Sequence, residues 1–215
     1  PSAPEELVAY IAAVAAHPGF TSRFATELTT PGVRVPLTAD RTLFDEAVEL
    51  GSRIINLHTF GARAGVGPAK PRLEPGVRPK VGVAIPDSPD EMPESIGYDP
   101  ETLTLSVGDG RIAPVSPAAW AFEVSTHRVV QRWLKRRLRE PEGKRSSPLD
   151  DMVPSHWSAD TTAELLDLLN VVELLIAEEA IQDDLLTRIL EHGEFISTSA
   201  LTGAGVLPPA SASRR

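Results

Sequence analysis

The hydrophobic period of this chain changes twice, and that double change bounds the folds open to it. Up to Phe60 the apolar residues recur at helical spacing, and Asp40–Phe60 carries Leu43, Phe44, Ala47, Val48, Leu50, Ile54, Ile55 and Leu57 in that pattern. Between Val81 and Val115 the period shortens to that of strands. Beyond Thr161 the helical spacing returns. Helices, then a small antiparallel sheet, then helices make an α+β arrangement.

Local signals place the elements. Ser2 can cap a helix with Pro4 in its first turn, running Glu5–Ala16 and stopped by His17-Pro18-Gly19. A short helix over Thr21–Leu28 is broken by Pro31-Gly32. Residues 61–80 are rich in Pro and Gly and read as a loop or linker. Val81–Ile85 reads as a short buried strand. Leu103–Val107 alternates apolar and polar, and Gly108-Asp-Gly110 turns the chain into Arg111–Val115. Pro114 puts that last strand at an edge or takes it out of the sheet early. Ser116 opens a short helix, and Thr126–Arg139 reads as a longer, basic one. Pro141–Trp157 is a polar loop, followed by acidic helices over Thr161–Ala180 and Asp183–Phe195. The tail at 201–215 is expected to be flexible.

Charge is distributed unevenly. The 215 residues sum to −9, yet from Arg128 to Arg145 eight basic residues face only Glu140 and Glu142, a local +6. Between Ala159 and Glu194 ten acids meet one base, Arg188, a local −9. The acidic total therefore belongs to the last third and does not exclude a polyanion at the middle. There are no cysteines, which removes disulfides, thiolate zinc sites and cysteine nucleophiles. No run of 18 apolar residues occurs, and no signal peptide is evident, so a cytoplasmic location without a membrane span is expected. The first residue is not Met, which suggests a piece of a longer protein.

Catalytic patterns are missing. His17, His58, His127, His156 and His192 lack metal-ligand spacing. Gly65-Val-Gly-Pro-Ala-Lys70 fails as a phosphate loop, because the spacing is wrong and Pro68 removes an N–H. No G-x-S-x-G appears. Neither a catalytic residue, a metal site nor a cofactor is expected in this chain.

The basic segment holds the chemistry. Taken as a helix, at about 100° per residue, it sets Arg128, Arg132, Lys135 and Arg139 within about 60° of one another, with Arg136 flanking. Val129, Val130, Trp133 and Leu134 lie opposite, so the helix is amphipathic with a cationic ridge. Such a ridge suits phosphates, and arginine also reads guanine. A solvated face paired with the acidic helices, or with a partner protein's acidic surface, competes with that reading. The ridge and the following loop residues Lys144, Arg145 and Ser146 form the candidate surface. Arg137 points at the apolar side and must find a carboxylate or carbonyls, with Glu123, Asp150 and Asp151 as candidates. It would meet DNA only if the helix ended early.

The segments Trp120-Ala-Phe-Glu-Val-Ser, Val129-Val-x-x-Trp133-Leu-Lys-x-Arg137, Ser147-Pro-Leu-Asp-Asp151 and Glu164-Leu-Leu-Asp-Leu-Leu resemble the C-terminal specificity domain of type ISP restriction–modification enzymes. Related type IIG enzymes carry a similar region. Ala9–Pro18, Phe24-Ala-x-x-Leu, Pro31–Thr38 and Leu50–Thr59 agree in order. A Gly commonly follows the Ser of the first segment, where this chain has Thr126, which puts the turn before the basic helix in doubt. The resemblance implies a duplex-DNA target recognition domain over residues 81–200, preceded by residues 1–60 packing on a methyltransferase domain in cis. In such enzymes an adenine-N6 methyltransferase and a nuclease act in phage defence. S-adenosylmethionine, ATP and Mg belong to those other domains. The N-P-P-[YF] motif and Walker motifs are not found here.

Overall fold

The computed structural model describes residues 4–32, 34–61, 72–139 and 154–205. Contacts gather the chain into two units. The first holds the chain up to Asn56 and again from Glu178; the second holds Leu57–Ala64 and Pro68–Ala177. Of the tail expected over 201–215, residues 201–203 instead close a helix that starts at Thr198, and those from 206 onward lie outside the described residues.

The first unit is helical. α1 (Pro4–Ala15) buries Ala9, Tyr10, Ala13 and Val14, the spacing of one helical face. α2 (Pro18–Arg23) starts earlier than Thr21, because Pro18 is pre-organised for a first-turn position. Leu28 falls instead in a 3-10 turn, Glu27–Thr29. α3 (Arg41–His58) begins where the Asp40 carboxylate accepts the Leu43 N–H at 2.8 Å.

α1 and α3 meet at Gly51, where a Cβ would stand 1.7 Å from the Ala9 carbonyl oxygen. Only glycine permits that approach. Tyr10 stacks on Phe44 at 5.1 Å, and its hydroxyl donates to the Pro36 carbonyl while accepting the Thr38 N–H.

α6 (Ala159–His192) is one helix of 34 residues, not two. Nothing between Ala180 and Asp183 breaks it: Ile181 and Gln182 are ordinary helix residues, and Gln182 is buried. The Gln182 amide donates to the carbonyls of Ala12 and Ala13 in the last turn of α1, where few acceptors have partners within the helix. The helix stops at Gly193, whose φ of +72° suits the residue after a helix. α7 (Thr198–Gly203) follows, capped by Ser197.

The second unit is α+β. β1 (Lys80–Val83), β2 (Ile96–Asp99), β3 (Thr104–Val107) and β4 (Gly110–Ala113) form an antiparallel sheet in the order β1-β4-β3-β2. The β3–β4 hairpin turns where the sequence places it, with Gly108 at φ +53°. Alternation buries Leu105, Val107 and Ile112 completely. β4 ends before Pro114 and is interior, so the proline marks an early exit and not an edge. β1 is an edge strand, and it is exposed throughout instead of buried; Ile85, beyond its end, carries the burial. β2 has no counterpart among the strands that the sequence pattern marks, since Ile-Gly-Tyr-Asp offers only two apolar residues.

Behind the sheet lie α4 (Pro117–Ala121), α5 (Val129–Lys135) and the first half of α6. Their Val130, Leu134, Leu165, Leu168, Leu169 and Val172 join the sheet residues and Trp157 in one core. Burying side chains of this kind contributes roughly 1.5–3 kcal/mol each. Trp157, at the end of the segment read as a polar loop, is fully buried, and its indole N–H donates to Thr162 at 2.9 Å.

Candidate nucleic-acid interface

The basic segment opens with a ribbon and not with a helix. β5 (Glu123–Val124) and β6 (His127–Arg128) pair antiparallel around the two-residue turn Ser125-Thr126. Both turn residues have positive φ, +49° and +69°. This is the turn that Thr126 put in doubt: it is present, and a threonine stands where glycine is the unstrained choice. The helix expected over Thr126–Arg139 contracts to the seven residues of α5, because that turn reverses the chain before a helix can start.

The contraction redistributes the candidate residues. Arg128 is the residue before α5, at φ −69° and ψ 105°, and is not part of a helical ridge. Arg132 and Lys135 remain on α5 one turn apart. Arg136 caps its C-terminal end, and Arg139 lies beyond. Arg128, Arg132, Arg136 and Arg139 are exposed and Lys135 is half-buried. Lys144, Arg145 and Ser146 lie outside the described residues.

Hydrogen bonding separates these cations. Arg139 acts as a clip: its guanidinium meets Glu94 at 3.2 Å and the Asp90 carbonyl, and its N–H donates to Pro93 at 2.9 Å. Among the described residues, Arg128 and Arg132 have no side-chain hydrogen bond or ion pair. Arg137 is turned inward as its position on the apolar side requires. It stacks over Trp133 at 3.8 Å, donates to the Trp133 carbonyl at 3.2 Å, and pairs with Glu164 at 3.7 Å. Glu164 on α6 is its carboxylate in place of Glu123; Asp150 and Asp151 lie outside the described residues. Burial lowers the Arg137 pKa, and Glu164 opposes that shift. The helix does end early, yet Arg137 stays with the protein.

The platform beneath is fixed from several sides. Trp133 meets Trp157 edge-on at 6.2 Å, and Trp120 stacks on Tyr98 at 5.3 Å. The Gln131 amide donates to the Trp120 carbonyl, and the Val129 N–H donates to Phe122. Glu173, one of the ten acids of the last third, accepts the Ser116 N–H and hydroxyl, each at 2.8 Å. Ser116 then caps α4 through the Ala119 N–H. Composition concealed this role, since a single carboxylate facing a corner is lost among ten acids.

Among the described residues no group of three or more His, Asp or Glu able to hold a metal occurs, and no helix is long and apolar enough to cross a membrane. An apolar cavity of about 270 Å³ in the first unit is lined chiefly by Phe20, Phe24, Leu28, Val35 and Phe195 and gathers no catalytic group.

The α+β sheet is backed by helices, with an exposed ribbon and a short helix bearing basic residues held at its side, an arrangement suited to binding. The chain belongs to the Type ISP C-terminal specificity domain family, whose model matches residues 1–168. No curated protein sequence matches it.

Solved structures share its fold. A nuclease-deletion mutant of the Type ISP restriction-modification enzyme LlaGI, in complex with a DNA substrate mimic, is similar over 86% of this chain at 16% identity and a TM-score of 0.53. The DrdV–DNA complex is similar over 85%, at 18% identity and a TM-score of 0.54. The ATP-dependent Type ISP restriction-modification enzyme LlaBIII bound to DNA is similar over 91%, at 12% identity and a TM-score of 0.53. The chain spans 14%, 18% and 11% of the lengths of those proteins, respectively.

Proposed function

We propose that this chain is the DNA-reading part of a type ISP restriction–modification enzyme, binding a short duplex sequence and positioning an attached adenine-N6 methyltransferase and nuclease. The observation that carries the reading is the state of the basic segment. In a chain with thirty acids, Arg128 and Arg132 stay exposed and, among the described residues, without a carboxylate. A polyanion supplies the missing partner, and each phosphate neutralised releases counterions. Membership of the specificity-domain family, and the DNA or DNA mimic bound by the three similar proteins, support duplex DNA as that polyanion.

Catalysis belongs to other domains of the parent enzyme, together with S-adenosylmethionine, ATP and Mg. The first helices serve to dock the methyltransferase domain in cis. Leu7, Val8 and Ile11 of α1 are all exposed, an apolar strip unusual for a free surface helix.

The test is duplex binding by fluorescence anisotropy across a salt series. Affinity should fall steeply with salt, and an Arg132→Ala/Lys135→Ala variant should weaken binding to all duplexes alike. Binding that ignores salt, or that prefers an acidic polypeptide to DNA, would favour a protein-docking module instead.

A further inference from the structure

α5 is short, and Val130 and Leu134 turn inward, which leaves it little surface with which to enter a groove. The ribbon before it differs. Glu123 through Arg128 are six consecutive exposed residues, and Val124 is half exposed despite being apolar. The turn has a β-branched residue at φ +69°, a position that costs backbone strain. Strain of this kind persists where the surroundings hold it, as at ligand clamps. Here the base of the ribbon is fixed by the Val129–Phe122 hydrogen bond, the Gln131–Trp120 hydrogen bond and the Trp120–Tyr98 stack.

Register decides what the ribbon presents. Glu123 pairs with Arg128 and Val124 with His127. Alternation therefore places Glu123 and Arg128 side by side on one face, with Val124 and His127 on the other. Among the described residues, neither Glu123 nor Arg128 enters an ion pair, although they are cross-strand neighbours. A carboxylate beside a DNA backbone is repelled by phosphate. Its place against DNA is at a base edge, where it accepts from an exocyclic amine. The neighbouring guanidinium matches the paired acceptors of guanine, and a two-stranded ribbon fits the width of the major groove.

We infer that the β5–β6 ribbon, and not α5, reads bases in the major groove, with Arg128 donating to guanine and Glu123 accepting from cytosine or adenine at an adjacent position. α5 then lies behind it, with Arg132 on the phosphates. This rests on the reading of the chain as a duplex-DNA target reader.

The whole chain is presented with a duplex library carrying a randomised central block, and the bound sequences are read. Wild type, Glu123→Ala, Arg128→Gln and Arg132→Ala are compared, each checked for native circular dichroism. Wild type should enrich one sequence pattern. Arg128→Gln and Glu123→Ala should each lose about 10- to 100-fold of base discrimination at one position. Arg132→Ala should keep the pattern with weaker binding throughout. The same pattern and discrimination in folded Glu123→Ala and Arg128→Gln proteins would overturn the ribbon assignment while leaving DNA reading intact. A wild-type chain that enriches no sequence would overturn the DNA-reading function itself.

Discussion

Arginines of the helical unit and arginines of the basic segment are the same residue put to opposite uses. In the helical unit every described arginine but Arg34 is matched within the chain. Arg188 reaches Glu46 and Asp184, Arg53 reaches Glu178 and Glu49, and Arg41 reaches Asp45. The Glu46 contact favours the charged pair from both sides, lowering the glutamate pKa and raising that of Arg188. In the basic segment Arg137 and Arg139 are tied down, while Arg128 and Arg132 find no carboxylate among the described residues. The difference teaches that charge density alone does not define a binding surface; the charges left over after internal pairing do.

The comparison implies that ion pairs decorate the helical unit but do not hold it together. The largest effect is therefore expected at Gly51. Gly51→Ala forces α1 from α3 and should cost about 3 kcal/mol in denaturant unfolding. A loss below that expected for the Arg188 pair would show that the unit depends on charge after all.

Arg137→Ala comes next, at about 1–2 kcal/mol, through the lost stack on Trp133 and the unpaired Glu164. Its duplex affinity should change less than that of Arg132→Ala, since this arginine belongs with the internally paired set despite its place in the basic segment.

Thr126→Gly runs the other way. Removing the side chain from a left-handed position should raise stability by about 0.5–1 kcal/mol, read as a higher thermal midpoint. No gain would mean that the turn is relaxed and the strain argument fails.

The smallest effect is Arg188→Ala, at about 0.3–0.5 kcal/mol, because its side chain and its partners are substantially solvated and screened. Duplex affinity should not move. Any loss of affinity there, comparable to that of Arg132→Ala, would erase the distinction between the two sets.

The sequence made the outline legible and hid the detail at the interface. The changes of period located α1, α3, the β3–β4 hairpin and the α+β class, because those elements are long enough, or alternate cleanly enough, to leave a pattern. The inward turn of Arg137 followed from helical angle alone, and its partners obeyed the rule that such a charge needs acceptors. The ribbon escaped because two residues per strand give no window for alternation, and Ser125-Thr126 lacks the Asn-Gly or Asp-Gly signature of its turn. Reading through it as helix placed Arg128 on a ridge it does not join. β1 looked buried because Val81, Val83 and Ile85 alternate with small residues. Its edge position is a property of strand order, which no local pattern contains. Glu173 at Ser116 and Arg139 at Glu94 are long-range matches of the same kind.

The central claim is that the charges left unpaired meet DNA, with Arg132 on its phosphates. Its most direct test is the slope of log affinity against log salt for a duplex of fixed sequence, measured for wild type, Arg132→Ala and Arg53→Ala. Removing one phosphate contact should make the slope shallower by about 0.9, while Arg53→Ala leaves it unchanged. Equal slopes for all three proteins would contradict the account.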